Sequence, residues 1–152
     1  MQIRGSSPLK LNSHSLYEAA YAYLQDGLCP IPILGDSAPQ QPKAAAMPWH
    51  IYQQRQPTAS EIDHWFDGET LRGIALICGS ISELSVLDID QPEIPPSLLE
   101  HAAHLLQTRI VKSPRGYHIY WHTPFPVKTQ PLNNGDLKGQ GSYIVAPPTH
   151  IN

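Results

Sequence analysis

Apolar and polar residues alternate through Val86-Leu87-Asp88-Ile89-Asp90, so in an extended chain Asp88 and Asp90 share one face while Leu87 and Ile89 point into a core. Other segments rich in aliphatic and β-branched residues predict strands at 29–34, 73–78, 109–112, 117–122 and 142–146, with the acidic strand itself spanning 84–90. Three Ser/Thr residues followed three positions later by Glu predict helix starts: Ser15 with Glu18, Thr58 with Glu61, and Ser97 with Glu100. The first helix should run to about Gln25 with Gly27 as its stop. The second should end near Trp65 and Phe66. The third, introduced by Pro95-Pro96, should end near Gln107. Residues 79–82 read as the turn of a hairpin joining the strands at 73–78 and 84–90, and 35–48 as a long loop. Several strand connections are too short for a crossover helix, which predicts an α+β or mixed-sheet domain over a doubly wound parallel one.

At 152 residues the chain reads as one domain, divided at about residue 72 into an N-terminal α/β part (1–72) and a sheet-rich part (73–152). No apolar run approaches the ~20 residues of a membrane span. No secretory signal is visible at the start, so a soluble cytoplasmic protein is expected. The abrupt end after Thr149-His150-Ile151-Asn152 reads as a piece of something longer. Cys29 and Cys78 lie in apolar, strand-like surroundings, which predicts buried free thiols and no cysteine-based zinc cluster. The net charge of −3 argues against a generic nucleic-acid binder, but it is unevenly divided. Residues 1–100 hold five Lys/Arg against twelve Asp/Glu, whereas 101–152 hold Arg109, Lys112, Arg115, Lys128 and Lys138 against the single acid Asp136. That basic third suits a polyphosphate or a nucleic-acid backbone.

The acids carry the candidate chemistry. Two carboxylates about 4 Å apart repel by roughly 4 kcal/mol at an effective dielectric near 20, and a third makes this worse unless a divalent cation intervenes. Oxygen-only ligands suit Mg²⁺ or Mn²⁺. His118 follows the tight turn Ser113-Pro114-Arg115-Gly116, where Gly116 leaves room near the backbone and the imidazole can donate to a phosphate oxygen. His122 lies on the same face but roughly 13 Å away at ~3.3 Å per residue, too far to share a metal with His118. His101 and His104, one helical turn apart, read as an exposed face. Asp136 and Lys138 share a face if extended, ahead of Gly139 and Gly141, which let backbone approach a ligand; Lys138 there can bind phosphate.

Taken in order, Leu-Asp88-x-Asp90, Ser113-x-x-Gly116-x-His118-x-Tyr120, and Asp136-x-Lys138-Gly-x-Gly141 leading into Tyr143-Ile-Val-Ala-Pro-Pro148 resemble the archaeo-eukaryotic primase superfamily, in its bifunctional primase/polymerase branch. The resemblance runs from about Leu16 to the end of the chain. It implies a primase/polymerase fold in which an RRM-like catalytic sheet packs with an N-terminal α/β module, the active site lying between them. It implies template-directed nucleotidyl transfer from dNTPs or NTPs to a 3′ hydroxyl by two-metal chemistry, with Mg²⁺ or Mn²⁺ as cofactor and single-stranded DNA template and primer as partners. Carried over by position, Asp88, Asp90 and Asp136 are the catalytic metal ligands. His118, Lys138, Gly116, Ser113 and Arg115 form the nucleotide-binding set. In relatives a helicase domain often follows, and such proteins commonly serve plasmids, phages or other mobile elements. The chain departs from the pattern in its loop, where relatives often carry Lys-x-Pro before the tryptophan. Here Lys43 is followed by alanines, so no basic contact from this loop is expected.

Three rivals use the same residues differently. A nucleotide or single-stranded DNA binding module of replication initiation would keep the site without the catalysis. A Mn²⁺-dependent glycosyltransferase would use Asp88-x-Asp90 but leave His118, Asp136 and Lys138 without a role. A metal-dependent nuclease would also cluster acids, and would degrade DNA without nucleoside triphosphates.

Overall fold

A computed structural model describes residues 3–4, 16–67, 71–99 and 108–151. The apolar segments fold as strands where the pattern places them: β2 (Cys29–Ile33), β3 (Gly73–Ile77), β4 (Leu84–Ile89), β5 (Ile110–Lys112), β6 (Tyr117–His122) and β9 (Tyr143–Ala146). Three further strands join them, β1 (Ile3–Arg4), β7 (Gln130–Leu132) and β8 (Gly135–Lys138), the last carrying Asp136. The helices are α1 (Leu16–Gln25), α2 (Ala59–Phe66) and the single turn α3 (Pro96–Leu99). No described helix is long and apolar enough to cross a membrane.

Local chemistry explains the helix ends. Gly27, at φ +81°, closes α1: its N–H donates to Leu24 O at 3.1 Å, and Leu28 N–H reaches back to Tyr23 O at 3.0 Å, satisfying carbonyls that the helix leaves open. At α2 the capping box is complete, with Glu61 N–H donating to Thr58 Oγ1 at 3.2 Å and Thr58 N–H donating to the Glu61 carboxylate at 2.8 Å. Ile62, Trp65 and Phe66, spaced by three and four, are buried by this helix. The capping pairs expected at Ser15 and at Ser97 with Glu100, the third helix as far as Gln107, and His101 with His104 fall outside the described residues in whole or in part.

The strands form two sheets, one of six strands in the order β1-β5-β6-β4-β8-β7 and one of three in the order β2-β3-β9, with every pairing of these strands antiparallel. The domain is α+β. One expectation is corrected. Residues 79–82 do turn the chain, but β3 and β4 form no hairpin ladder beyond a single bridge between Gly79 and Leu84. The reason lies in β3: all five residues are buried, and both of its edges are taken, by β2 and by β9. With no edge left, β4 crosses to the larger sheet and lies between β6 and β8. The smaller sheet therefore draws β2 from before residue 72 and β3 and β9 from after it. Pro30 and Pro32 sit on β2, an edge strand whose outer side is covered by the 35–48 loop; Leu34 N–H donates to Ala44 O and Ala46 N–H to Pro32 O.

A shared core holds the sheets together. Ile31, Ile74, Leu76 and Ile144 from the smaller sheet pack with Val86, Val111 and Tyr120 from the larger one, and with α1 and α2 through Ala20, Tyr23, Ile62, Trp65 and Phe66. On the opposite face of the larger sheet Ile89 and Ile119 gather Leu87, Ile110 and Trp121. Leu87 and Ile89 thus point away from the side that bears Asp88, as the alternation requires.

Candidate active site

Strand register, not sequence proximity, assembles the site. Asp88 on β4 pairs directly with His118 on β6 and with Asp136 on β8, so three candidate residues lie in one row across three adjacent strands and on one face. Lys138 falls in the neighbouring row, opposite Val86 and beyond it Tyr120. Asp90 follows the strand on the other side of the row, its N–H donating to Asn134 O at 2.8 Å. This face opens into a cleft of about 420 Å³ whose far wall is Gly141 to Val145, at the start of β9, together with Lys43 and Trp49.

Each acid has a basic neighbour. His118 Nε2 lies 3.3 Å from Asp88 Oδ1, Arg115 Nε 3.6 Å from Asp90 Oδ1, and Lys138 Nζ 3.4 Å from Asp136 Oδ2. The environments differ. His118 is buried, Asp88 mostly so, whereas the Arg115 side chain is 72% exposed and its contact with Asp90 is a surface pair of small energetic worth. Burial pushes the Asp88 carboxyl up, but the hydrogen bond and charge of His118, with Lys138 and Lys43 behind them, outweigh it and hold the carboxyl below its usual range. His118 Nδ1 is buried and meets no hydrogen-bond partner among the described residues.

Among the described residues, no three His, Cys, Asp or Glu side chains cluster tightly enough to hold a metal by themselves. Two ionisable carboxylates opposite each other on one face still fit Mg²⁺ or Mn²⁺, which typically take one or two protein carboxylates and fill the shell with phosphate oxygens and water. Asp88 and Asp136 are that pair; Asp90, directed at Arg115, stands beside it.

Of the residues singled out in the sequence, Asp88, Asp90, Asp136, His118, Lys138 and Arg115 all line the cleft. Gly116 and Ser113 are not among its lining residues. The bare Cα of Gly116 answers to strand packing, since a Cβ there would stand 1.8 Å from Ile89 O. Ser113 Oγ accepts from Gly116 N–H at 3.1 Å and fixes the turn. His122 is engaged elsewhere, with Nε2 2.7 Å from Glu83. Cys29 and Cys78 are buried free thiols, each pushed up to about 12 by burial and so kept from acting as nucleophiles.

The cleft also takes Lys43, Trp49 and the wall from Ser142 to Val145, none of them expected as site residues from the sequence. Lys43 was discounted because alanines follow it. Its place depends on a contact a hundred residues away, where Tyr143 Oη donates to Lys43 O at 2.9 Å, and no local pattern signals that. Trp49 stands edge-on to Tyr143, with ring centroids 5.1 Å apart.

No curated protein sequence matches the chain. The model of one family does, over residues 20–152, from the middle of α1 through β2 to β9 and every residue of the cleft, and the chain accordingly belongs to the bifunctional DNA primase/polymerase N-terminal (Prim-Pol) family.

Proposed function

We propose that this domain catalyses template-directed transfer of a nucleotidyl group from a nucleoside triphosphate to the 3′ hydroxyl of a primer on single-stranded DNA. The observation that carries the reading is the row His118, Asp88, Asp136 across β6, β4 and β8, facing a cleft that also holds Lys138, Arg115 and Lys43. Acids for divalent cations and bases for a polyphosphate thus converge on one face, between an RRM-like larger sheet and the smaller sheet. In this reading Asp88 and Asp136, with Asp90 beside them, would hold divalent ions. Bound there, the ions would supply a lower pKa to the attacking hydroxyl and positive charge for the leaving pyrophosphate.

The remaining work belongs to the chain's own groups. Asp88 is ionised and ready to act as a ligand without losing a proton first. The His118 Nε2–H, now directed at Asp88, is placed to donate to a phosphate oxygen brought to the same row. Lys138 and Arg115 lie on either side of that row and supply positive charge along an extended triphosphate. Walls from β9 and from Trp49 narrow the cleft and limit water at the reacting atoms. A glycosyltransferase using Asp88-x-Asp90 alone has no use for this convergence of His118, Asp136 and Lys138.

The test is extension of a labelled primer on a single-stranded template with Mg²⁺ or Mn²⁺ and either dNTPs or NTPs, comparing the chain with its Asp88→Ala/Asp90→Ala variant. Products that lengthen with nucleotide supply and vanish in the variant are expected. Absence of extension in either metal, with nucleotide binding retained, would instead assign the domain to binding without catalysis.

A further inference from the structure

The three cations that line the cleft are not equivalent. Lys138 is paired with Asp136 and Arg115 with Asp90, whereas Lys43 forms no salt bridge among the described residues. A phosphate reaching Lys138 or Arg115 competes with a carboxylate already in place; one reaching Lys43 does not. Lys43 belongs to a loop and not to a strand, so its usefulness depends on what fixes that loop.

Tyr143 fixes it. Its backbone is locked in β9 by pairing with Ile77 of β3, and its ring lines the cleft edge-on to Trp49. From that anchored position its hydroxyl makes two hydrogen bonds to the loop, donating to Lys43 O at 2.9 Å and accepting from Ala45 N–H at 3.1 Å. Behind these contacts, Ala46 N–H donates to Pro32 O of β2 at 2.9 Å and Ala45 bridges Ile33, so the loop is stitched on one side to β2 and on the other to β9. The hydroxyl grips the backbone of the lysine and leaves its side chain unengaged by that contact. The Lys43 side chain lines the same cleft as Asp88, His118 and Asp136.

We propose that Tyr143 is a positioning residue, holding the loop so that Lys43 serves as the unpaired cation that contacts the polyphosphate of the incoming nucleotide. The inference rests on the nucleotidyl-transfer reading above and adds to it which loop residue binds substrate and what holds it there. Lys43 touches the substrate; Tyr143 acts through Lys43.

The experiment measures affinity of the whole chain for fluorescent dATP and ATP, with Mg²⁺, for the unsubstituted chain, Lys43→Ala, Lys43→Arg, Tyr143→Phe and the double variant Lys43→Ala/Tyr143→Phe. Loss of one charge-assisted contact predicts about tenfold weaker binding for Lys43→Ala, with Lys43→Arg restored to within about twofold. Tyr143→Phe should weaken binding about threefold, and the double variant should be no weaker than Lys43→Ala, because the hydroxyl has nothing to position once the ammonium group is gone. A nucleoside without phosphates should not distinguish the variants. Unchanged triphosphate affinity in Lys43→Ala overturns the proposal, and so do additive losses in the double variant. Lys43 is exposed and its variants carry the test alone if Tyr143→Phe loses its cooperative melt. Should the unsubstituted chain bind neither nucleotide, the functional reading itself falls; should it bind and Lys43→Ala bind equally well, only this inference does.

Discussion

Asp88 is mostly buried yet ionised, a combination that normally costs stability and here is offset by His118. Asp136, opposite it on β8 and about two-fifths exposed, pairs with Lys138 at 3.4 Å. Such a carboxylate contributes little to folding and repels its neighbour, and in the nucleotidyl-transfer reading proposed above it serves the chemistry. Asp136→Asn should therefore lower nucleotidyl transfer by about 10²–10³-fold, the usual effect of removing one preorganised electrostatic group, as read by single-nucleotide primer extension. Its unfolding free energy in metal-free buffer should stay within about 1 kcal/mol of the unsubstituted chain, as read by urea titration. A large loss of stability would show Asp136 to be structural. These acids were legible in the sequence because a carboxylate on an apolar strand needs an explanation wherever it occurs. Lys43 was not, because its position is set by Tyr143, and a residue held by its backbone oxygen leaves no trace in its own neighbours' identities.

The elements whose cause is local were the ones that could be read. Thr58 and Glu61 announce α2 because the bonds that start the helix lie within four residues, and Gly27 announces the end of α1 in the same way. Strand partners are not local, and the sheet to which β4 belongs is decided by the occupied edges of β3. For that reason the expected β3–β4 hairpin failed while both strands survived. β7 was missed because Gln130-Pro131-Leu132 is exposed throughout and carries no apolar alternation. Two predictions belong at this scale. Hydrogen bonding from Arg55, opposed by burial and aided by Thr58 N–H and Tyr52 Oη, holds the Glu61 carboxyl down to about 2 from an ordinary 4.5. The native state thus binds fewer protons than the unfolded state between those values, so this group's stabilisation is complete above pH 4.5 and disappears as pH falls toward 2. Melting curves across that window should show a shallower acid loss in Glu61→Gln, which starts from a lower melting temperature at neutral pH. The second concerns Gly135, at φ +147°, where a Cβ would stand 1.7 Å from Asp88 O. Gly135→Ala should force β8 off β4, costing roughly 3 kcal/mol or more and separating Asp136 from Asp88, so that melting temperature and extension activity fall together. A variant of ordinary stability and activity would refute the register argument.

At the scale of the whole molecule, the cleft exists because two sheets with separate ladders share one core, and β9 belongs to both structures at once: it pairs with β3 and it walls the site. What secures β9 is the chain just beyond it. After the turn through Pro147 and Pro148, the buried Thr149 returns its hydroxyl to β3, accepting from Ile74 N–H at 2.8 Å and donating to Ile74 O at 3.0 Å, while Tyr23 Oη of α1 donates to Pro147 O at 2.7 Å. Thr149→Val keeps the shape of the side chain but removes both hydrogen bonds to the Ile74 backbone at a buried position. The cost should be about 2–3 kcal/mol, or roughly 5–10 °C in melting temperature for a chain of this size. Because Val86, Val111 and Tyr120 of the larger sheet pack into the same core as Ile31, Leu76 and Ile144 of the smaller one, loosening β3 and β9 cannot be confined to the smaller sheet. Far-ultraviolet circular dichroism and tryptophan fluorescence, the latter reporting both Trp65 in α2 and Trp121 on the far face of the larger sheet, should therefore shift together and keep a single transition. Two separated transitions in Thr149→Val would mean that the sheets fold as independent units, and that the cleft is a contact between them and not a product of their common core.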